Sequence, residues 1–179
     1  GWEELGLVSL STCDYPFLEE LLEDINPFLR LNHAQVSLPS LRADSFSVHL
    51  ARLAEGANIT LTFAPEAGSE HLREIINKDL KREEIQEAIE LACQCGFQRI
   101  KLYFMVGLPR EEKDDIEAIL ELVGDLKKRA KKISGKVKIS VSVSAFVPKP
   151  QTPFQWEKME ELPLLKSKRL YLRQGLEKI

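Results

Sequence analysis

Cysteine is scarce in this 179-residue sequence: Cys13, Cys93 and Cys95 are the only three, an odd number without regular spacing. They do not make a disulfide framework of the kind that staples small secreted domains. Long apolar runs are missing as well. No stretch approaches the roughly 18 residues of a membrane span, and no basic, apolar, small-residue pattern opens the chain as a secretory signal would. The expectation is a cytoplasmic protein with no membrane partner. A surplus of positive charge is also absent: 25 Lys and Arg stand against 28 Asp and Glu, a net charge of −3. The chain as a whole therefore offers no electrostatic case for a nucleic-acid partner. His33, His49 and His71 have no metal-like spacing and none is assigned to a site. An initiator Met is lacking, the chain opening on Gly1-Trp2-Glu3-Glu4; the expectation is a piece excised from a longer polypeptide.

What is present is a 44% hydrophobic composition, enough for one substantial core, in segments of alternating period. Leu5 to Ser11 reads as a short strand. Asp14-Tyr15-Pro16 then starts a helix with Leu18, Leu21, Leu22 and Ile25 on its apolar face, which Pro27 ends or kinks. Gln35 to Leu38 is a strand closed by Pro39, and Asp44-Ser45 caps a helix carrying Phe46, Leu50 and Leu53 up to Gly56. Asn58 to Ala64 is a strand ended by Pro65-Glu66-Ala67-Gly68-Ser69; a short helix with Leu72, Ile75 and Ile76 follows. Ile85, Ala88, Ile89, Ala92 and Cys93 stripe the next helix, which Gly96 stops. Arg99 to Val106 is the strongest strand, short and apolar enough to be buried on both faces. Its helix carries Ile116, Ile119, Leu120, Val123 and Leu126, and is expected to dissolve into the basic run Lys127 to Lys132. Lys138 to Phe146 is a strand, residues 146–153 form an extended loop because of three prolines, and Leu162 to Ile179 is a closing amphipathic helix with Pro163 in its first turn.

Strand and helix thus alternate about five times without a hairpin signal, which means βαβ units and a parallel sheet. About five units are too few for a closed eight-stranded barrel of roughly 250 residues. A partial barrel and a doubly wound sheet both remain open on periodicity alone. In either, ligands gather at the carboxyl ends of the strands, and those ends are unusual here: Ser11-Thr12-Cys13-Asp14, Pro39-Ser40-Leu41-Arg42, Pro65-Glu66-Ala67-Gly68-Ser69, Gly107-Leu108-Pro109 and Val147-Pro148-Lys149-Pro150.

The ordered series resembles the radical S-adenosylmethionine (radical SAM) superfamily, specifically an uncharacterised Fe-S oxidoreductase branch with an upstream cobalamin-binding-like domain. Pro65-Glu66-Ala67-Gly68-Ser69, followed by Leu72 and Lys78, is similar to the Glu/Gln-Ser-Gly-Ser motif at that family's fourth barrel strand. Met105-Val106-Gly107-Leu108-Pro109 is similar to the Gly-(Leu/Phe)-Pro-Gly-Glu-Thr motif at the fifth strand, and Phe146 to Pro153 to the Pro-Arg/Lys-Pro-Gly-Thr-Pro loop after the sixth. Ser37 to Arg42 would be the third-strand end. The resemblance implies an α/β, partial TIM-like (βα) barrel of parallel strands with outer helices, strands two to six of a six-stranded barrel. Residues 1–160 would form the partial barrel and residues 161–179 its closing helix. It implies SAM across the strand ends and a [4Fe-4S] cluster, with cobalamin in an upstream domain, for reductive cleavage of SAM to a 5′-deoxyadenosyl radical acting on an unknown substrate. Carried over residue by residue, the candidate cofactor-binding positions are Ser40, Arg42, Glu66, Gly68, Ser69, Met105, Gly107, Pro109, Phe146, Val147 and Pro148. Glu66 would receive the methionine ammonium or ribose hydroxyls, Arg42 the methionine carboxylate, and main chain beside Phe146 and Val147 the adenine edge. Gly107 would let backbone approach the adenosine.

The sequence also departs from the family. Ala67 replaces a serine, and Arg110 and Glu112 replace the Gly and Thr of the fifth-strand motif, which is expected to weaken the helix cap there. The Cys-x3-Cys-x2-Cys cluster motif is absent from these residues, so no metal ligand is assigned, the three cysteines read as structural, and the chain is expected to be inactive alone. Two readings compete: a Schiff-base lyase or aldolase-like barrel using Lys101, and a non-enzymatic binding module whose patch is the lysine-rich segment Lys127 to Lys138. Trp2 and Trp156 are read as packing or as part of a lost interface. The missing N-terminal part of the same protein is the expected partner. Without it, the strand over Leu7 to Ser11 is an open sheet edge prone to pairing with another copy. Concentration-dependent association in sedimentation is therefore expected, and a strict monomer at high concentration would count against truncation.

Overall fold

The computed structural model describes residues 3–7, 15–37 and 60–179. Its strands are β1 (Glu4–Gly6), β2 (Gln35–Ser37), β3 (Thr60–Glu66), β4 (Arg99–Val106) and β5 (Lys138–Ala145). Its helices are α1 (Leu18–Leu31), α2 (Glu70–Ile75), α3 (Arg82–Gln94), α4 (Lys113–Ile133) and α5 (Leu162–Leu176). All strand pairs are parallel: β1 with β2 in one sheet, and β3, β4 and β5 in sequence order in another. Each described crossover is helical, as expected for an α/β chain of parallel strands and outer helices. The expected helix over Phe46, Leu50 and Leu53 and the expected strand residues 8–11 lie outside the described residues.

β4 is central in its sheet, and its burial alternates strictly rather than covering both faces as expected. Ile100, Leu102, Phe104 and Val106 are buried, and they share one core with Leu61 and Phe63 of β3, Ile85 and Ile89 of α3, and Ile119, Leu122 and Leu126 of α4. Arg99, Lys101, Tyr103 and Met105 point the other way and are partly or fully exposed. An outer face apolar enough to bind two helices is sufficient to hold the strand; the inner face carries no folding requirement of its own.

One further expectation needs correction, and two prolines need placing. Pro27, expected to end or kink α1, does not end it: the helix runs four residues beyond, to Leu31. Leu29, seven residues after Leu22, is buried like it, so tertiary packing outweighs the single helical hydrogen bond that proline forfeits. β3 ends at Glu66, within the stretch expected to end it, with Pro65 still inside the strand. The register slips between Phe63, opposite Leu102, and Glu66, opposite Phe104. That places three steps on β3 against two on β4, a bulge that accommodates a residue with no N–H to give. Finally, α4 does not dissolve at Lys127 but continues to Ile133. Ala130 extends its buried stripe, and Arg129 ties the segment to Asp125 at 3.0 Å and to Glu90 of α3 at 2.7 Å. Lys131 and Lys132 in the last turn suit the negative end of the helix dipole.

Cys93 is buried in the α3 stripe as expected, and burial followed by the nearby Glu90 carboxylate pushes its thiol up to about 11. Trp156 is 89% exposed, so packing within the described residues does not account for it. Among the described residues no helix is long and apolar enough to cross a membrane.

The β3–α2 connection lies directly on α4. A Cβ at Gly68 would stand 2.2 Å from the Ile119 backbone nitrogen and 2.5 Å from the Ala118 carbonyl carbon. Backbone cannot yield as a flexible side chain does, so Gly68→Ala should cost about 1–3 kcal/mol or more, read as a lower midpoint in urea unfolding. An unchanged midpoint would show that the connection does not seat on α4.

Candidate functional site

The strand ends do converge. Ala67 after β3, Leu108 after β4 and Phe146 after β5 are buried together with Leu72 of α2 in a second small cluster, distinct from the main core. Met105, Ile75, Ile76 and Phe154 pack around it, and the Phe146 and Phe154 rings meet edge to face with centroids 6.0 Å apart. The three stretches that carried the family resemblance therefore share one rim.

At the β3 end, the bulge leaves Glu66 with a left-handed φ of +68°. Its side chain makes no hydrogen bond or ion pair among the described residues. Burial raises its carboxyl above the usual range, with the Lys78 ammonium pulling the other way. A partly buried carboxylate without a partner is an open position for a cation. Ala67 and Gly68 offer their carbonyls inward to Arg73, at 3.0 and 3.1 Å from one guanidinium nitrogen, while Nε of Arg73 reaches the Leu80 carbonyl at 2.7 Å. Arg73 is 1% exposed and pins the whole segment from residue 67 to 80. Ser69 is the N-cap of α2: its hydroxyl accepts the Leu72 N–H at 3.1 Å and donates to the Asp115 carboxylate. Asp115, itself buried, also accepts the Glu112 N–H at 2.8 Å. One carboxylate thus holds the first turns of both α2 and α4, so the cap expected to be weak for want of a Thr at position 112 is supplied from Asp115.

At the β4 end, Gly107 has φ +79° and its N–H meets both oxygens of Glu111 at 3.0 Å. Arg110, where the family motif has Gly, adopts φ +62°, the conformation that glycine would take without strain. The Glu111 side chain is 1% exposed and accepts from Lys168 of α5 at 2.6 Å; Lys168 also bonds Glu160. Burial works to lower the Lys168 ammonium, but the two carboxylates outweigh it and its net shift is upward. The side of Gly107 where a Cβ would stand is filled by Leu165, at 2.7 Å, and Glu160, at 3.2 Å. Pro109 is half-buried in the turn that follows.

At the β5 end, Phe146 continues the ladder by donating its N–H to the Val106 carbonyl at 2.9 Å. Val147 is 53% exposed and Pro148 half-buried. Ser40, Arg42 and Cys13 lie outside the described residues.

The two cysteines among the described residues do not fit an iron–sulfur cluster. Cys93 is buried with a raised thiol, and Cys95, the next, caps the same helix end. Among the described residues no group of His, Cys, Asp and Glu is arranged to hold a metal ion. The Schiff-base reading of Lys101 gains no support: the residue lies near the start of β4, away from the strand end where catalytic groups gather, with its Nζ 4.7 Å from the centroid of the Tyr103 ring. Sequence reasoning missed Arg73, Asp115 and Lys168. Asp115 had a local signal, an acidic residue three positions after the helix cap; Arg73 and Lys168 had none, since each reads as an ordinary surface cation.

Comparison with known proteins agrees with this geometry. Residues 6–123 match the family described as the radical SAM superfamily. An uncharacterised protein of Methanocaldococcus jannaschii is 39% identical over 176 residues, 98% of this chain but 36% of the relative. The solved structure of coproporphyrinogen III oxidase (HemN) from Escherichia coli, described as a radical SAM enzyme, superposes with a TM-score of 0.60 at 17% identity, over 97% of this chain and 40% of that one. The latter likeness is one of fold. The chain spans little more than a third of the relative it matches by sequence.

If the Glu111–Lys168 pair holds α5 to the β4 end, Lys168→Met should destabilise the chain by about 3–5 kcal/mol, because it strands a buried carboxylate. Lys168→Met with Glu111→Gln should recover part of that loss in urea unfolding. Additive losses would mean the pair is not coupled.

Proposed function

Because the chain belongs to the radical SAM superfamily, we propose that it is the SAM-holding part of a larger radical SAM enzyme. In the intact protein, SAM would be cleaved reductively to a 5′-deoxyadenosyl radical that abstracts hydrogen from a substrate. The superfamily implies both SAM and a [4Fe-4S] cluster. The residues described here do not fit the cluster, and its ligands would come from elsewhere in the polypeptide. A cobalamin-binding domain upstream belongs to the same proposal, on the branch resemblance alone, as does location in the cytoplasm.

The observation that carries the reading is the convergence of the three motif-bearing strand ends on one small apolar cluster, with an unpartnered carboxylate beside it. In this proposal Glu66 receives the methionine ammonium through charge-assisted hydrogen bonds, and Arg42 the methionine carboxylate. Met105 and the main chain at Phe146, Val147 and Pro148 border the adenine. Gly68, Ser69, Gly107 and Pro109 act by placing these groups. Gly68 seats the β3 end on α4, Ser69 fixes α2, and Gly107 with Pro109 shapes the turn that α5 covers. Ser40 would line the third-strand end.

Glu66 supplies a test with two readouts of opposite sign. A carboxyl raised by burial weakens the folded state once pH rises above its unfolded value, because the unfolded chain ionises more readily. Glu66→Gln should therefore leave stability unchanged near pH 3 and raise the thermal midpoint of the ligand-free chain at pH 7. The same change should weaken SAM binding about ten- to a hundredfold by calorimetry. Anaerobic reconstitution with dithionite should give 5′-deoxyadenosine from the intact polypeptide and none from residues 1–179. Unaltered SAM affinity in Glu66→Gln would remove the role of Glu66, and turnover by residues 1–179 would overturn the assignment of the cluster to another part.

A further inference from the structure

The inner face of the three-stranded sheet is polar where a barrel interior is ordinarily packed with branched apolar side chains. Thr62, Lys101 and Ser140 stand in one rung by register, Tyr103 and Ser142 in the next, and Met105 and Ser144 in the third, nearest the rim. None of the seven is acidic. Lys101 makes no ion pair or hydrogen bond among the described residues; its Nζ lies 4.7 Å from the centroid of the Tyr103 ring, one rung toward the rim. The hydroxyls of Ser140 and Ser144 are engaged with the Ile100 and Phe104 carbonyls of β4, at 3.3 and 3.4 Å. Those of Tyr103 and Ser142, side by side above Lys101, have no hydrogen-bond partner among the described residues.

We propose that this face carries a subsite for an oxyanion of the substrate, a carboxylate or a phosphate, with Lys101 as its charge partner and Tyr103 and Ser142 as hydroxyl donors. A half-buried ammonium flanked by two idle donors, with no carboxylate paired by register to Lys101 or Tyr103 and that of Glu66 farther up, opposite Phe104, is complementary to an anion. The contact with the Tyr103 ring holds Lys101 against the sheet without satisfying its N–H groups. The depth rests on the radical SAM reading: Lys101 is four residues below Met105, about 13 Å along the strand, and its ammonium reaches back part of that way. The substrate would therefore be elongated, with its anionic end well below the hydrogen to be abstracted at the rim.

The test uses the intact polypeptide and two probes, inorganic phosphate and glutarate, at an ionic strength held constant with chloride. Acylation of each lysine by an acetyl succinimidyl ester is followed by peptide mass spectrometry. Lys101 should be slowed by about threefold or more by at least one probe, while Lys113, 83% exposed on α4, should not change. Protection by phosphate alone assigns a phosphorylated substrate, by glutarate alone a carboxylate, and by both an oxyanion site without preference. With 3-fluorotyrosine incorporated, the Tyr103 fluorine resonance should shift with the protecting probe in the native protein and in Lys101→Arg, but not in Lys101→Met. Equal acylation of Lys101 with and without both probes overturns the subsite, as does a fluorine shift that persists in Lys101→Met. Deoxyadenosine formation reports separately. If it fails while Lys101 is protected, the radical SAM reading falls and the subsite stands; if it succeeds without protection, the reverse holds.

Discussion

The end of β4 is fixed by a buried carboxylate. Glu111 takes the N–H of Gly107 with both oxygens and the ammonium of Lys168 from a helix 57 residues away. Three things depend on that group. The turn from β4 into α4 keeps the left-handed backbone at Gly107 and Arg110 only while something holds both ends of it. α5 is drawn over the strand end, so that Leu165 joins the main core and fills the space beside Gly107. The neighbouring Asp115, on the first turn of the same helix, is thereby in place to receive Ser69 and hold α2. A desolvated charge is a costly way to join elements, but an apolar pair at that position would not orient an amide.

This arrangement alters the part that Gly107 plays. Its amide is committed to Glu111, and its open side is occupied by the protein itself. The freedom a glycine gives here is used for the close approach of α5 to the strand end. The rim carboxylate without a hydrogen bond or ion pair among the described residues lies instead one strand away, on Glu66, where the bulge at Pro65 leaves a left-handed φ. Proline at a strand's last residues thus does more than stop a ladder: by withholding an N–H it shifts the register.

What could be read from the sequence follows from the range of the interactions. The extent of β4 and the buried stripe of α3 were legible, because strand composition and the 3.6-residue stripe are local. The division of β4 into a buried and an open face was not, since it depends on which side the helices pack, nor was the length of α4 past Lys127, which rests on Arg129 meeting Glu90 of another helix. Pro27 and Pro65 do not mark the ends of their elements for one reason: each forfeits a single hydrogen bond, and packing of Leu29 or a bulge makes up for it. At the site, the motif-bearing ends were legible as a set through family resemblance. The clamps that hold them, Arg73 on three carbonyls and Lys168 on two carboxylates, join residues whose separation in sequence leaves no pattern.

The division of β4 into two faces explains how one short strand can serve both folding and recognition. Its buried apolar side chains, Ile100, Leu102, Phe104 and Val106, share the main core with residues of α3 and α4. Because successive side chains alternate, a change at Lys101 or Tyr103 leaves that surface untouched. The same separation applies along β5, whose serines at 140, 142 and 144 face inward while Val141 and Val143 support the core. A lysine on the outer face would have to be buried among helices at large cost. On the inner face neither helix packs against it, and the ring of Tyr103 lies beside it. The chemistry of the inner face is therefore free to follow the ligand: from Lys101 to Ser144, β4 and β5 present an ammonium, hydroxyls and a thioether, and no carboxylate.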